Sequence, residues 1–321
     1  MEEATALTEP LDIARRIQEN VEKVIVGKTE AVRLALISLM CNGHVLIDDV
    51  PGVGKTTLAK SLAKSIGCSF KRIQFTPDLL PSDITGVSIY NQKTETFQFR
   101  PGPLMAQVVL ADEINRATPK AQSALLESME EMQITVDGVS HMLPRPFLVM
   151  ATENPLEYEG TFPLPQGQMD RFLMRISPGY PTAAQELSII DNHRFVNPID
   201  TVSSVSTPEE IIELQDEVRK VYVDNNLKRY IVSIVDATRH DRDVYLGVSP
   251  RGSLGLFRTS QARAFLEGRD YVLPDDIKEL SRPVLAHRMI TSPGARSKDV
   301  TGITSVAKIL ETVPVPGVKV G

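Results

Sequence analysis

The chain has no tryptophan, two cysteines in 321 residues, and an aromatic share of 5%. Cys41 and Cys68 stand far apart with no paired ligand spacing. That excludes a disulfide framework and a cysteine zinc site, and it reads as reduced, buried thiols in a cytoplasmic protein. His44, His141, His193, His240 and His287 have no metal-ligand spacing, and no His-Glu-x-x-His occurs, so they read as structural or exposed. A basic excess is also missing: 35 Lys and Arg face 41 Asp and Glu, a net charge of −6. With so few aromatics to stack on bases, this counts against a general nucleic-acid coat, although a local basic channel stays open. No window approaches the roughly 20 apolar residues that span a bilayer. The start, Met1-Glu2-Glu3-Ala4, lacks the basic and apolar regions of a signal peptide. What remains is a 42% apolar chain, long enough for one large or two modest domains with a real core.

The most informative stretch is His44-Val45-Leu46-Ile47-Asp48-Asp49-Val50-Pro51-Gly52-Val53-Gly54-Lys55-Thr56-Thr57. Val45 to Ile47 reads as a buried parallel strand. A Pro/Gly turn follows, then a helix with Leu58, Leu62 and Ile66 at a four-residue step and Gly67 as its C-terminal cap. Strand, glycine loop, Lys-Thr, helix is a cradle for a triphosphate. Gly52 and Gly54 let backbone N–H groups turn inward, and the helix N-terminus adds partial positive charge. Lys55 would reach the β- and γ-phosphates of ATP, and the Thr56 hydroxyl would bind Mg²⁺. The usual pattern opens with glycine, where this chain has Asp49.

Further apolar runs at Phe70–Phe75, Val108–Ala111, Phe147–Ala151 and Phe172–Ile176 read as buried strands. Residues 11–24 read as a helix, and Thr29 as the cap of the next. Two hairpins interrupt the series. In 86–103, Val87, Ile89 and Tyr90 would face Phe97 and Phe99. The other covers 133–143, with its turn at Asp137-Gly138. From about Pro181 the strands give way to capped helices, among them Thr207-Pro208-Glu209-Glu210, Ser249-Pro250 and Pro274. The expectation is an α/β domain with a parallel sheet over 1–180 and a helical domain over 181–321. Strand carboxyl ends carry ligands, which places Asp112-Glu113 and Thr152–Asn154 on the same edge as Lys55.

Phosphoryl transfer needs a metal held and a water aligned. Asp112 would hold Mg²⁺ and Glu113 would polarise the attacking water; the plainer alternative is two acids ending a strand at the surface. Asn154 could hydrogen-bond that water or the γ-phosphate, or could simply form the turn before Pro155. Arg171 could stabilise charge on the transferred group, or pair with Asp170 on the surface. Arg251, in the first turn of a helix, is unfavourable against the helix dipole, which suggests a partner outside the helix, such as a phosphate; a solvated arginine is the alternative.

With these residues in place the chain resembles the AAA+ ATPases, and more closely the MoxR family. The resemblance runs from about residue 20 to 316. It rests on Val26-Gly27-Lys28, Asp49 to Thr56, Ala111-Asp112-Glu113-Ile114-Asn115-Arg116-Ala117, Ala151-Thr152-Glu153-Asn154-Pro155, Gln168-Met169-Asp170-Arg171-Phe172 and Ser249-Pro250-Arg251. An acid at the first loop position is itself similar to the family pattern. The resemblance implies a P-loop NTPase fold, with a five-stranded parallel core, a C-terminal all-α lid, and assembly into a ring, usually a hexamer. It makes Pro51, Gly52, Val53, Gly54, Lys55, Thr56 and Thr57 the Walker A segment, Asp112 and Glu113 Walker B, and Asn154 sensor 1. It makes Arg171 an arginine finger reaching a neighbour's nucleotide and Arg251 the sensor 2 arginine, in cis or in trans. Val26 and Gly27 would lie near the adenine. The two hairpins look like the helix-2 insert and the pre-sensor-1 hairpin. The implied role is ATP-driven, chaperone-like maturation of metalloenzymes or complexes, commonly with a von Willebrand A-domain partner. A chelatase-type motor subunit, a nucleic-acid motor and a non-hydrolysing switch are the competing readings; intact Glu113 argues against the last.

Overall fold

A computed structural model describes residues 8–50, 52–154, 160–192, 194 and 197–317. They fall into two compact units. One takes its residues from Arg16–Leu164 and Ile176–Ile212, the other from Met1–Arg15, Pro165–Arg175 and Glu213–Gly321. Pro51, His193 and Pro155 lie outside the described residues.

The first unit is built on the apolar runs. The strands are β1 (Val45–Asp48), β2 (Phe70–Gln74), β3 (Gly86–Asn91), β4 (Thr96–Pro101), β5 (Val108–Asp112), β6 (Gln133–Val136), β7 (Val139–Met142), β8 (Leu148–Glu153) and β9 (Met174–Ile176), the last with only Ile176 in this unit. Five of them form one sheet in the order β2-β5-β8-β1-β9. The pairs β2–β5, β5–β8 and β1–β8 are parallel. Val45, Leu46 and Ile47 of β1 are fully buried, as are Val108 to Ala111 of β5. This matches the expectation for strands covered on both faces, which have no need to alternate. The helix Lys55–Ser65 lays Leu58, Ala59, Leu62 and Ala63 into that core, and Gly67 follows it at φ +63°.

Both hairpins are present. In the first, Tyr90 lies opposite Phe97, with ring centroids 5.3 Å apart. Val87 and Ile89 pair instead with Arg100 and Gln98, because alternate residues point to opposite faces. In the second, Asp137 and Gly138 both take positive φ, the turn that a two-residue hairpin requires. Phe99 stacks on His141 at 4.0 Å, joining the two hairpins. Thr29 opens the helix Thr29–Met40 rather than capping it; Lys28 holds the cap position and makes no side-chain cap bond.

His44 is 5% exposed, with its ring edge-on to Phe147. Its Nδ1 accepts from the Val149 N–H at 3.1 Å, which leaves the proton on Nε2, 3.2 Å from the Met129 carbonyl. Burial lowers its pKa from 6.5 to about 4, opposed by the Met129 carbonyl. The unfolded chain therefore takes up this proton first. The stabilisation is fully present above about pH 6.5 and is lost as pH falls towards 4, at ~1.4 kcal/mol per pH unit. Urea midpoints measured across that window should fall more steeply for the parent than for His44→Gln. Equal slopes would remove His44 from the account.

The second unit is mainly helical. In the helix Asn225–His240 the face read from the sequence (Leu227, Tyr230, Ile231, Ile234 and Thr238) is buried. Ser249 caps Pro250–Leu266, its Oγ accepting from the Arg251 N–H at 3.2 Å. The helix Pro274–Leu285 buries Ile277 and Leu280. Two short strands, Val244–Leu246 and Ile290–Thr291, pair antiparallel. Among the described residues no helix is long and apolar enough to cross a membrane.

Candidate active site

The carboxyl ends of β1, β5 and β8 open on one cleft of about 380 Å³ in the first unit. It is lined by Gly52, Gly54, Lys55, Thr56 and Thr57 from the loop and helix start, Arg72 from β2, Asp112 and Glu113 at the end of β5, and Thr152, Glu153 and Asn154 at the end of β8. Parallel strand order brings the ends of β1, β5 and β8 together, as Ile47 pairs with Thr152 and Ala111 with Ala151.

Gly52 and Gly54 both adopt φ near +85°, where a side chain would strain the loop. Asp49 has a defined job in the fold. One carboxylate oxygen accepts from the Val50 N–H at 2.7 Å, and the other accepts from the N–H of Gly179. Lys28 reaches the same loop, donating to the carbonyls of Gly179 at 2.8 Å and Tyr180 at 2.7 Å. Gln185 covers Gly27, so closely that a Cβ on Gly27 would lie 2.1 Å from the Gln185 amide carbon. Thus Lys28 and Asp49, at the head of the phosphate loop, share one anchor at Gly179. Val26, Gly27 and Val53 are not among the residues lining the cleft.

Lys55 donates to the carbonyls of Asp49 and, at 3.3 Å, Glu153. Burial lowers its pKa, while Asp49, Asp112 and Glu113 oppose the shift. Thr152 ties the two acids together: its hydroxyl donates to Asp112 Oδ1 at 2.6 Å and accepts from the Glu113 N–H at 2.8 Å. Glu113 sits at φ +56°, an uncommon backbone state for this residue and one found at sites held by their surroundings. Its Oε2 accepts from Gln74 at 2.7 Å and Arg116 at 2.9 Å. Asp112 Oδ2 takes two donors from Arg72, at 3.0 Å and 2.6 Å. Asn154 is 6% exposed at the end of β8. Burial pushes Glu153 up to about 6.

Arg72 and Gln74 lie outside the residues the sequence points to; Thr152 is read there as part of the site's edge and Arg116 as part of a family stretch, neither with a role of its own. The available signal was in β2: Arg72 and Gln74 alternate with buried Ile73, so two long polar side chains share one face of this edge strand. Arg171 and Arg251 are not in the cleft lining and belong to the second unit, after the helix Gln166–Met169 and in the first turn of Pro250–Leu266.

A parallel sheet with a glycine loop, a lysine and a threonine at one strand end and paired acids at the next defines a phosphate-loop nucleotide-binding protein with a helical lid unit. Residues 44–174 match the family described as "ATPase family associated with various cellular activities (AAA)", and residues 236–309 match "AAA lid domain". The chain is 53% identical to YeaC of Bacillus subtilis strain 168 over 93% of both chains. It is 42% identical to chaperone MoxR1 of Mycobacterium tuberculosis, over 93% of this chain and 81% of that one. A crystal structure of a provisionally named ATPase from Cytophaga hutchinsonii superposes with a TM-score of 0.91 at 38% identity, covering 98% of this chain and 97% of the other. The chain belongs to the MoxR family of AAA+ ATPases.

Proposed function

We propose that the protein hydrolyses ATP with Mg²⁺ in a ring of its own copies, usually six, and uses the cycle to remodel partner proteins in the cytoplasm. The observation that carries this reading is the junction at Thr152. One hydroxyl holds Asp112 and the Glu113 backbone together in the cleft that Lys55 enters. In this reading the loop from Pro51 to Gly54, with Lys55, Thr56 and Thr57, binds the phosphates. Glu113 polarises the attacking water and Asn154 orients it or the γ-phosphate. Val26 and Gly27 lie towards the base.

The donor set suits Mg²⁺. Asp112 and Thr56 supply hard oxygens. Among the described residues no cluster of three or more Asp, Glu, His or Cys is poised to hold a metal. This ion takes one or two carboxylates plus phosphate oxygens and keeps water. Bound there, it would neutralise charge on the phosphates. Asp112 would have to turn an oxygen from Arg72 to reach it.

Arg171, on the second unit, is read as reaching the nucleotide of a neighbouring copy, and Arg251 as a phosphate sensor. A remodelling role is supported by the relative named as a chaperone. A von Willebrand A-domain protein is the proposed partner and a metalloenzyme or complex the proposed client.

Phosphate release from ATP by the full chain, with Mg²⁺ and with EDTA, tests the activity. Turnover only with Mg²⁺ supports it; tight ATP binding without turnover in the assembled protein would favour a switch instead. Retention of a partner on Glu113→Gln in ATP, and its release in ADP, tests the remodelling role.

A further inference from the structure

Arg288 is 4% exposed and lies outside every motif that the sequence reading used. Its guanidinium is wrapped around the segment that carries Arg171. Nη1 donates to the Asp170 carbonyl at 2.7 Å and pairs with the Asp170 carboxylate. Nη2 donates to the Phe172 carbonyl at 2.7 Å, and Nε to the Val284 carbonyl at 2.8 Å. The carbonyls on both sides of Arg171 are thus held by one side chain. His287 adds a contact from Nε2 to the Phe172 carbonyl at 3.1 Å.

The same carboxylate reaches the other arginine. Asp170 Oδ2 accepts from Ser249 Oγ at 2.8 Å, and that hydroxyl accepts from the Arg251 N–H. A continuous set of hydrogen bonds therefore runs from the Arg171 segment through Asp170 to the first turn of the helix bearing Arg251. Glycines make the close approach possible. A Cβ at Gly252 would lie 3.4 Å from Arg288 Cδ and 2.1 Å from Val248 Cγ1, and one at Gly255 would lie 3.3 Å from Leu173 Cδ1. The segment Pro165–Arg175 accordingly clusters with Glu213–Gly321.

A buried ion pair is a poor way to gain stability, because desolvation offsets much of the attraction. Here burial lowers the Arg288 pKa, Asp170 opposes the shift, and the charge of Arg251 lowers it further. Like charge is held close where apolar packing would suffice, so the arrangement reads as a positioning device.

We propose that Arg288 is a positioning residue for ATP hydrolysis: with Asp170 and Ser249 it fixes Arg171 and Arg251 in one piece of structure, so that both arginines reach a nucleotide together. This rests on the reading of Arg171 as the arginine presented to a neighbour. Arg288→Lys keeps the charge and loses the fork. In the full-length assembled protein it should leave KM for ATP within about twofold and lower kcat roughly tenfold or more, as misplaced groups do. Combined with Arg171→Ala it should cost less than the product of the two separate losses, because the share that runs through Arg171 is already gone and only the share through Arg251 remains. Asp170→Asn should behave the same way if Arg288→Lys folds poorly. Ser249→Ala, which removes the two bonds of that hydroxyl and leaves those of Arg288, should follow the same pattern in smaller measure. A folded variant with parental kcat, or losses that multiply with that of Arg171→Ala, would overturn the proposal. Parental turnover in Arg171→Ala alone would instead strike the underlying reading, and would be seen before Arg288 is touched.

Discussion

Glu113→Gln is expected to bind ATP about as well as the parent and to turn it over roughly 10²-fold or more slowly. The amide has the same size, and its oxygen can still accept from Gln74 and Arg116, which now hold Glu113 Oε2. The Thr152 contact uses the Glu113 backbone and is untouched. What disappears is the negative charge that polarises a water, and with it some repulsion of the phosphates. Binding of a fluorescent ATP analogue and phosphate release, measured on the same preparation, separate the two effects. Turnover near the parental rate would move the base elsewhere. Glu153 would be the next carboxyl in the cleft to try, since burial pushes its pKa up to about 6.

Lys55→Ala should act earlier in the cycle, weakening ATP binding by roughly 10-fold to 10²-fold, the cost of about one charge-assisted hydrogen bond to phosphate. Two things are lost together. The cation that would meet the phosphates goes, and so do its bonds to the carbonyls of Asp49 and Glu153, which tie the loop to the end of β8. Titration with the same analogue reads the affinity directly. Unchanged affinity would mean that the phosphates lie outside this loop.

The phosphate loop was legible in the sequence because its chemistry is local. Two glycines, a lysine and a threonine within a few residues leave few other geometries. Strands β1, β5 and β8 were legible for a similar reason, each being a short apolar run ending in a polar one, whereas β2 buries only Ile73 and leaves Lys71, Arg72 and Gln74 exposed. Boundaries shifted where a polar residue continues a strand: β8 runs on through Thr152 and Glu153, and this puts the Thr152 hydroxyl between Asp112 and Glu113.

The rest depended on neighbours that sequence order does not supply. Gln74 meets Glu113 because β2 lies beside β5, with Gln74 in register with Asp112. Asp49 departs from the glycine-first loop pattern but fits the family's; what sequence order does not supply is its partner Gly179, 130 residues away. The segment around Arg171 read as the close of the α/β part. It groups with the helical residues because Arg288, 118 residues further on, grips the Asp170 and Phe172 carbonyls.

On this account the loop that opens the site is one part of a composite. The phosphates, metal and water are handled by one unit, while Arg171 comes from the second unit of a neighbouring copy. Mixing Arg171→Ala subunits with Lys55→Ala subunits, and measuring phosphate release in assemblies of confirmed size, tests that claim most directly. The account predicts that each variant alone is nearly inactive and that the mixture regains part of the parental turnover, because some interfaces pair an intact loop with an intact arginine. No recovery in a confirmed mixed assembly would contradict it.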